Sequence, residues 1–353
     1  MKYLTKSKFK MALECPTKLY YNEHKEKYAN SKLDDPFLEA LAKGGFQVGE
    51  LSKCYYPEGH DIVELDYETS EKKTMELLKQ ENVVIFEAAI RYKNLFIRVD
   101  ILEKIGNTFN LIEVKSKSAH PDTFEDELWN SRELNKGVYS LKSTWKPYIY
   151  DVAFQSFVLK NAFPDAEINN FLMCADKSTL ATVDGLNQKF VLSTDERGRS
   201  YAKPKGDTSL EALGDQLLCK LDLNSVIETI HNDEEMSERF EGIGFENAIW
   251  KFANALDEDI RLDSNVSSKC KSCEYRSLDN GKASGFNECW NLQHGLSEEE
   301  LSKPLVFDVW NFRGSQKALD SGKILLEDLD QTDFNATPRS DGEGLSNGER
   351  QVL

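Results

Sequence analysis

Asp100, Glu113 and Lys115 are spaced as D-x(12)-E-x-K within IRVDILEKIGNTFNLIEVKSKS, residues 97–118. Two β-like runs meet at a turn at Gly106-Asn107. Side chains on a strand alternate between faces, so Glu113 and Lys115 share one. A hairpin brings Asp100 beside Glu113. Two carboxylates and an ammonium on paired strands can form a divalent-cation site. Hard oxygen ligands suit Mg²⁺ or Mn²⁺, which can activate water for phosphodiester cleavage. The same residues also describe a solvated hairpin with an exposed Glu/Lys pair, and the surrounding chain has to decide between the two.

The elements that must position these residues can be read from periodicity and punctuation. Residues 7–14 form a short helix stopped before Cys15-Pro16, and a second helix runs through Lys18–Tyr21 with Pro16 in its first turn. Asp34 or Asp35 caps a third, with Pro36 in its first turn, which continues through GGFQVGELSK. Glu50 lies there on a different face from Val48 and Leu51. Residues 69–80 are an amphipathic helix and 83–90 a β-run interrupted by Glu87. The hairpin strands cover 95–103 and 109–116. Residues 119–143 are polar and irregular. A helix over 147–160 carries Val152, Phe154, Gln155 and Val158, and 168–175 reads as a buried strand. From Pro36 the order is helix, three strands, helix, strand, with the 69–80 helix as an extra. Downstream, 178–220 is an insertion or a surface β-region. Residues 223–255 supply two helices split near Gly242–Gly244.

The chain has 353 residues, 40% hydrophobic and 30% charged, which describes a globular protein with room for about two domains. It has no apolar run of ~18 residues to span a membrane and no apolar core for a secretion signal at its start, so the cytoplasm is expected. The net charge of −17 argues against indiscriminate nucleic-acid binding. A local basic groove is compatible with it, because lysines gather in residues 1–30 and again around the hairpin, while acids concentrate in 297–343. Walker A, Gly-x-Ser-x-Gly and strand-borne GxGxxG patterns are absent, and the five histidines form no ligand pair.

On Asp100, Glu-Val-Lys at 113–115, Gln155 in AFQSFVL and the element order, the chain resembles the RecB-like branch of the PD-(D/E)XK nuclease superfamily. It is similar to CRISPR-associated iron–sulfur exonucleases, to AddB-type nuclease domains and, most closely, to bacterial proteins with an N-terminal RecB-like domain. The resemblance covers about residues 2–290. It implies an α/β fold with a restriction-endonuclease-like core: a mixed central sheet flanked by helices, with added helical segments closed by a metal or iron–sulfur site. It implies that Asp100 and Glu113 hold Mg²⁺ or Mn²⁺ with the Val114 carbonyl, and that Glu50 completes the set. Many relatives have His at the position of Glu50. Lys115 would orient the attacking water, and Gln155 matches a Q-x(3)-Y helix near DNA, with Leu159 at the Tyr position.

The resemblance also gives a role to sulfur. Cys270 and Cys273 form a C-x2-C pair, Cys289 follows, and Cys15 lies far upstream. One N-terminal and three C-terminal cysteines are similar to the iron–sulfur staple of those nucleases, and four thiolates satisfy a [4Fe–4S] cluster. A four-thiolate Zn²⁺ site fits the same residues.

The expected organisation is N-terminal helices over 1–35 carrying Cys15, a nuclease core over 36–176, a helical region with the cysteines over 177–300, a short helical element over 301–330, and a flexible acidic tail or linker over 331–353. The expected function is a metal-dependent deoxyribonuclease, an exonuclease on single-stranded or end-containing DNA. Its rival is a nucleic-acid-binding module of a larger machine, whose partner is an exonuclease-like domain beyond the tail.

Overall fold

The protein is described here by a computed structural model that covers residues 2–33, 36–134, 138–195, 200–232, 242–277, 281–334, 336–340 and 343–352. The expected helix caps Asp34 and Asp35 lie outside the described residues. Contacts divide the chain into two compact units, Met1–Pro16 with Pro36–Arg261, and Thr17–Asp35 with Leu262–Leu353. Helices of seven or more described residues are α1 Lys6–Glu14, α2 Thr17–Glu23, α3 Pro36–Cys54, α4 Tyr67–Leu77, α5 Lys146–Ala162, α6 Asn224–His231, α7 Phe245–Asp257 and α8 Gly285–His294. Strands are β1 Leu4–Thr5, β2 His60–Asp61, β3 Asn82–Tyr92, β4 Leu95–Ile105, β5 Thr108–Ala119, β6 Glu167–Asp176, β7 Phe190–Thr194, β8 Ser200–Pro204 and β9 Leu218–Asp222.

The first unit is a mixed open sheet flanked by helices, in the order β2-β3-β4-β5-β6-β9, with β1 also paired to β4. β3, β4 and β5 form an antiparallel meander, whereas β5 and β6 run parallel. A parallel pair needs a crossover, and α5 supplies it. The helix–three strands–helix–strand order is therefore present as α3, β3–β5, α5 and β6, with α4 as the extra helix. The 119–143 stretch adds short helices at Phe124–Leu128 and Ser131–Leu134. Within 178–220, β7 and β8 form a separate hairpin, and β9 returns to the sheet beside β6.

Both faces of the sheet are covered, and β4 is buried or half-buried from Leu95 to Lys104 even at its polar positions. On one face Phe86, Ile101, Ile112 and Met173 pack with Leu51 of α3. On the other lies α5, buried continuously from Ile149 to Leu159. A helix enclosed on every side is apolar all round, and its few polar residues, Asp151, Gln155 and Ser156, are buried with it.

Thr5 caps α1 by accepting from Lys8 N–H. The ring of Phe9 then anchors α1, stacking on Phe154 of α5 at 4.7 Å and meeting Phe245 of α7 edge-on at 5.8 Å. The second unit has its own core, where Phe286, Trp290, Leu305 and Phe307 pack together, and a cluster of Tyr21, Tyr28 and Tyr275. Lys18 pairs with the buried Glu274 at 2.7 Å, and Arg276 grips Asp308 through two bonds of 2.6 and 2.7 Å. The 331–353 region contributes a turn of 3-10 helix at Gln331–Asp333 and a helix at Asn347–Val352.

Phe154 is fully buried, so Phe154→Ala should destabilise the first unit by about 3–5 kcal/mol. Urea denaturation of the variant checks this, and a loss below ~1 kcal/mol would show that the Phe9–Phe154 stack does not anchor α1.

Candidate active site

The site lies where the sheet comes apart. β5 pairs with β4 only between Ile101 and Ile105 on the β4 side. The first two residues of β4 pair with β1 instead. Residues 97–100 lie between these two pairings. Beyond Val114, β5 also slips register against β6. A backbone N–H released from a ladder needs another acceptor. Asp100 provides it, its Oδ2 accepting from Val114 N–H at 2.8 Å. The carboxylate of Asp100 is thereby fixed at the fork of two strands.

Glu113 stands across the fork with no solvent exposure. Burial of a lone carboxylate is costly unless it is paired and hydrogen-bonded. Lys6 Nζ lies 2.7 Å from Glu113 Oε1 and 3.0 Å from Oε2. Lys115 also donates to Oε1. Gln155 Nε2 donates to Oε2 at 2.8 Å. The Lys6 ammonium reaches Asp100 Oδ1 as well, at 3.6 Å. Behind them sits Asp151, almost fully buried, 3.2 Å from Lys10 Nζ and 3.8 Å from Lys115 Nζ. Three carboxylates thus face three ammoniums, which keeps the buried cluster close to neutral.

The arrangement pulls neighbouring acids in opposite directions. Burial alone would raise the Glu113 carboxyl, but Lys6 and then Lys115 overcome it and hold it at about 2. Asp100 is raised by desolvation and by the charge of Glu113. Asp151 is pushed up to about 6, by burial first and Glu113 second, against Lys10, Lys115 and Lys6. Lys6 and Lys115 are raised: desolvation opposes their charge, and the surrounding carboxylates outweigh it.

The structure brings Glu113, Lys115 and Gln155 into contact and ties Asp100 to the same cluster through Val114 N–H and Lys6. Gln155 is fully buried and holds Glu113, so it acts here as a positioning residue. Leu159, one turn on, is core. Val114 and Glu50 line a cavity of about 340 Å³ together with Asp100, Lys115 and Tyr201. The Glu50 carboxylate pairs with Lys53 at 2.8 Å, a contact that its i,i+3 spacing on α3 favours. Glu87 lines the same cavity, at the position the β3–β4 ladder skips between Phe86↔Ile101 and Ala88↔Val99. Its backbone is left-handed, φ 56°. A non-glycine residue in that region marks strain of the kind that collects at functional sites. Its carboxyl is raised, by burial first and Asp100 second.

Sequence reasoning counted Lys6 and Lys10 only as local basic charge and passed over Asp151. The available signal was their spacing. Lys6/Lys10 and Asp151/Gln155 are each one helical turn apart and so share a face. The second pair interrupts an otherwise apolar helix.

Among the described residues no three His, Cys, Asp or Glu side chains gather as a metal-ligand group. What the fork offers is two carboxylates converging on one shared cation position. That donor set fits Mg²⁺ or Mn²⁺, because Mg²⁺ keeps several waters and needs only one or two carboxylates. The sulfur set offers less. Cys15 follows α1 in the first unit; Cys270, Cys273 and Cys289 belong to the second. Cys289 Sγ lies 3.2 Å from Tyr21 Oη. Burial pushes the Cys273 thiol up to about 11. None of the seven cysteines forms a disulfide.

The ion pairs give a pH signature. Glu113 is lower in the fold than the ordinary carboxyl value of 4.5. Its stabilising contribution is therefore complete above about 4.5 and lost as pH falls towards about 2. Asp151 has the opposite sign, its burial costing more as pH rises from about 4 to about 6. Glu113→Gln should be less stable than wild type at pH 7, with the gap narrowing below pH 4.5. Chemical denaturation at several pH values checks this, and a constant gap down to pH 3 would contradict the pairing. Compared with models of known protein families the chain matches none, and no curated protein matches it.

Proposed function

We propose that the protein is a divalent-metal-dependent deoxyribonuclease of the PD-(D/E)XK, RecB-like type, built on a restriction-endonuclease-like core. The observation that carries this reading is the convergence of Asp100 and Glu113 on one cation position, with the Lys115 ammonium on the same strand as Glu113. The resemblance of the sequence and the order α3, β3–β5, α5, β6 support it.

In this reading Asp100 and Glu113 hold Mg²⁺ or Mn²⁺, with the Val114 carbonyl as a further oxygen. Such an ion, when bound, polarises the phosphate and makes water a better nucleophile. The chain's own residues do the rest. Val114 N–H fixes the Asp100 carboxylate and Gln155 fixes that of Glu113, so both are oriented before substrate arrives. Lys115 steadies negative charge that develops on the scissile phosphate and orients the attacking water. Lys53 and Lys115 bring positive charge to the cavity, and Phe46 and the exposed ring of Tyr201 line it. Aromatic rings beside cationic side chains suit unpaired bases, which supports single-stranded or end-containing DNA as substrate.

The thiols of Cys270, Cys273 and Cys289, with Cys15, are proposed on sequence spacing alone as ligands of a [4Fe–4S] cluster, or alternatively of Zn²⁺. No catalytic step is assigned to them. Iron, zinc and acid-labile sulfide measured after oxygen-free purification test that assignment.

Asp100→Ala should abolish cleavage of end-labelled single-stranded DNA with Mn²⁺ or Mg²⁺, at least a hundredfold below wild type, about the loss of one strong electrostatic contribution. Circular dichroism of the variant should match wild type. Full activity in folded Asp100→Ala would overturn the reading. Wild type that retains DNA but cuts in no metal would favour a binding module.

A further inference from the structure

We infer that Lys6 is an internal competitor for the metal, its ammonium filling the position between Asp100 and Glu113 that a divalent cation takes on binding. This rests on the metal-dependent reading of the same site. Several groups donate to Glu113, but they are not equivalent. Lys115 approaches Oε1 and Gln155 approaches Oε2. Among the described ion pairs Lys6 alone joins Glu113 to Asp100, touching both oxygens of the first and one of the second. It therefore stands within ion-pair distance of both carboxylates. An ion coordinated by them at ~2.1 Å would use the same oxygens. An ammonium left in place would also repel it in a cluster already balanced in charge.

Lys6 is built to leave without disturbing the fold. It is the first residue of α1, and the position of that helix is set by the Thr5 cap and the Phe9 stack rather than by the Lys6 side chain. Its four-carbon stem borders a second cavity of about 460 Å³, lined also by Ser7, Glu87, Arg98 and Asp100. Rotation into that space would take the ammonium off Glu113 and towards the side of the opening lined by Glu87 and Arg98. There the Lys6 ammonium would stand beside the metal position, within reach of a nucleic-acid phosphate. Lys6 thus serves two partners in turn. Without metal it neutralises Glu113 and Asp100; with metal it is released towards the phosphate.

Mn²⁺ titration calorimetry without nucleic acid separates the possibilities. Lys6→Met keeps the apolar stem and removes the charge, and should bind Mn²⁺ at least tenfold more tightly than wild type. Lys6→Arg keeps the charge and should stay within about threefold of wild type. Asp100→Asn should lose most of the affinity. Unchanged or weaker binding by Lys6→Met, with binding lost in Asp100→Asn, overturns the role of Lys6 and leaves the metal site standing. Wild-type affinity in Asp100→Asn overturns the metal site itself, and the inference with it. Should Lys6→Met fail to fold, the wild-type protein still gives an answer. The Lys6 ¹⁵Nζ resonance, protected while its ammonium is held by the carboxylates, should lose that protection when Mg²⁺ is added. A resonance that stays protected at saturating Mg²⁺ would refute displacement.

Discussion

The site depends on one constraint, a carboxylate that has no access to water. Glu113 can remain ionised inside the sheet only because Lys6, Lys115 and Gln155 together satisfy both of its oxygens. Those partners come from α1, β5 and α5, so the packing of three elements is what brings them to one buried charge. Removing one member of such a set leaves a charge uncompensated, which costs far more than the intact pairs contribute. The cluster of three ammoniums and three carboxylates is accordingly a unit, and its members are not independent.

The backbone is arranged to receive it. A regular β4–β5 ladder would have consumed the Val114 N–H and closed the space beside Asp100. The two strands separate after five paired residues, β1 takes the other end of β4, and β5 slips against β6. Glu87 adopts a left-handed backbone where the β3–β4 ladder skips. Irregularity in three neighbouring strands converges on Asp100, while the rest of the sheet stays regular. The core of α3 packs on one face of this sheet and α5 on the other. Charge in the first unit is local. In a strongly acidic chain, three lysines here balance three carboxylates.

The sequence taken alone determined a good deal. D-x(12)-E-x-K with a Gly-Asn turn implies two adjacent strands, because strand side chains repeat every second residue. The β-branched and apolar runs set the meander, and Pro36 and Pro147 mark the beginnings of two long helices. These signals are local, which is why the order helix, three strands, helix, strand was legible, and why Asp100, Glu113 and Lys115 could be selected. Gln155 was selected through resemblance, and its contact with Glu113 came from the fold.

Only the tertiary structure decided what those residues meet. Lys6 is 107 positions from Glu113 along the chain, and Lys10 is 141 from Asp151. No periodicity reaches that far. Their pairing follows from the Phe9–Phe154 stack that lays α1 on α5. The same holds for Glu50, whose helix could be read but whose carboxylate turns to Lys53. Local chemistry along the chain fixes which elements form, and the packing of remote segments fixes which charges must share one buried space.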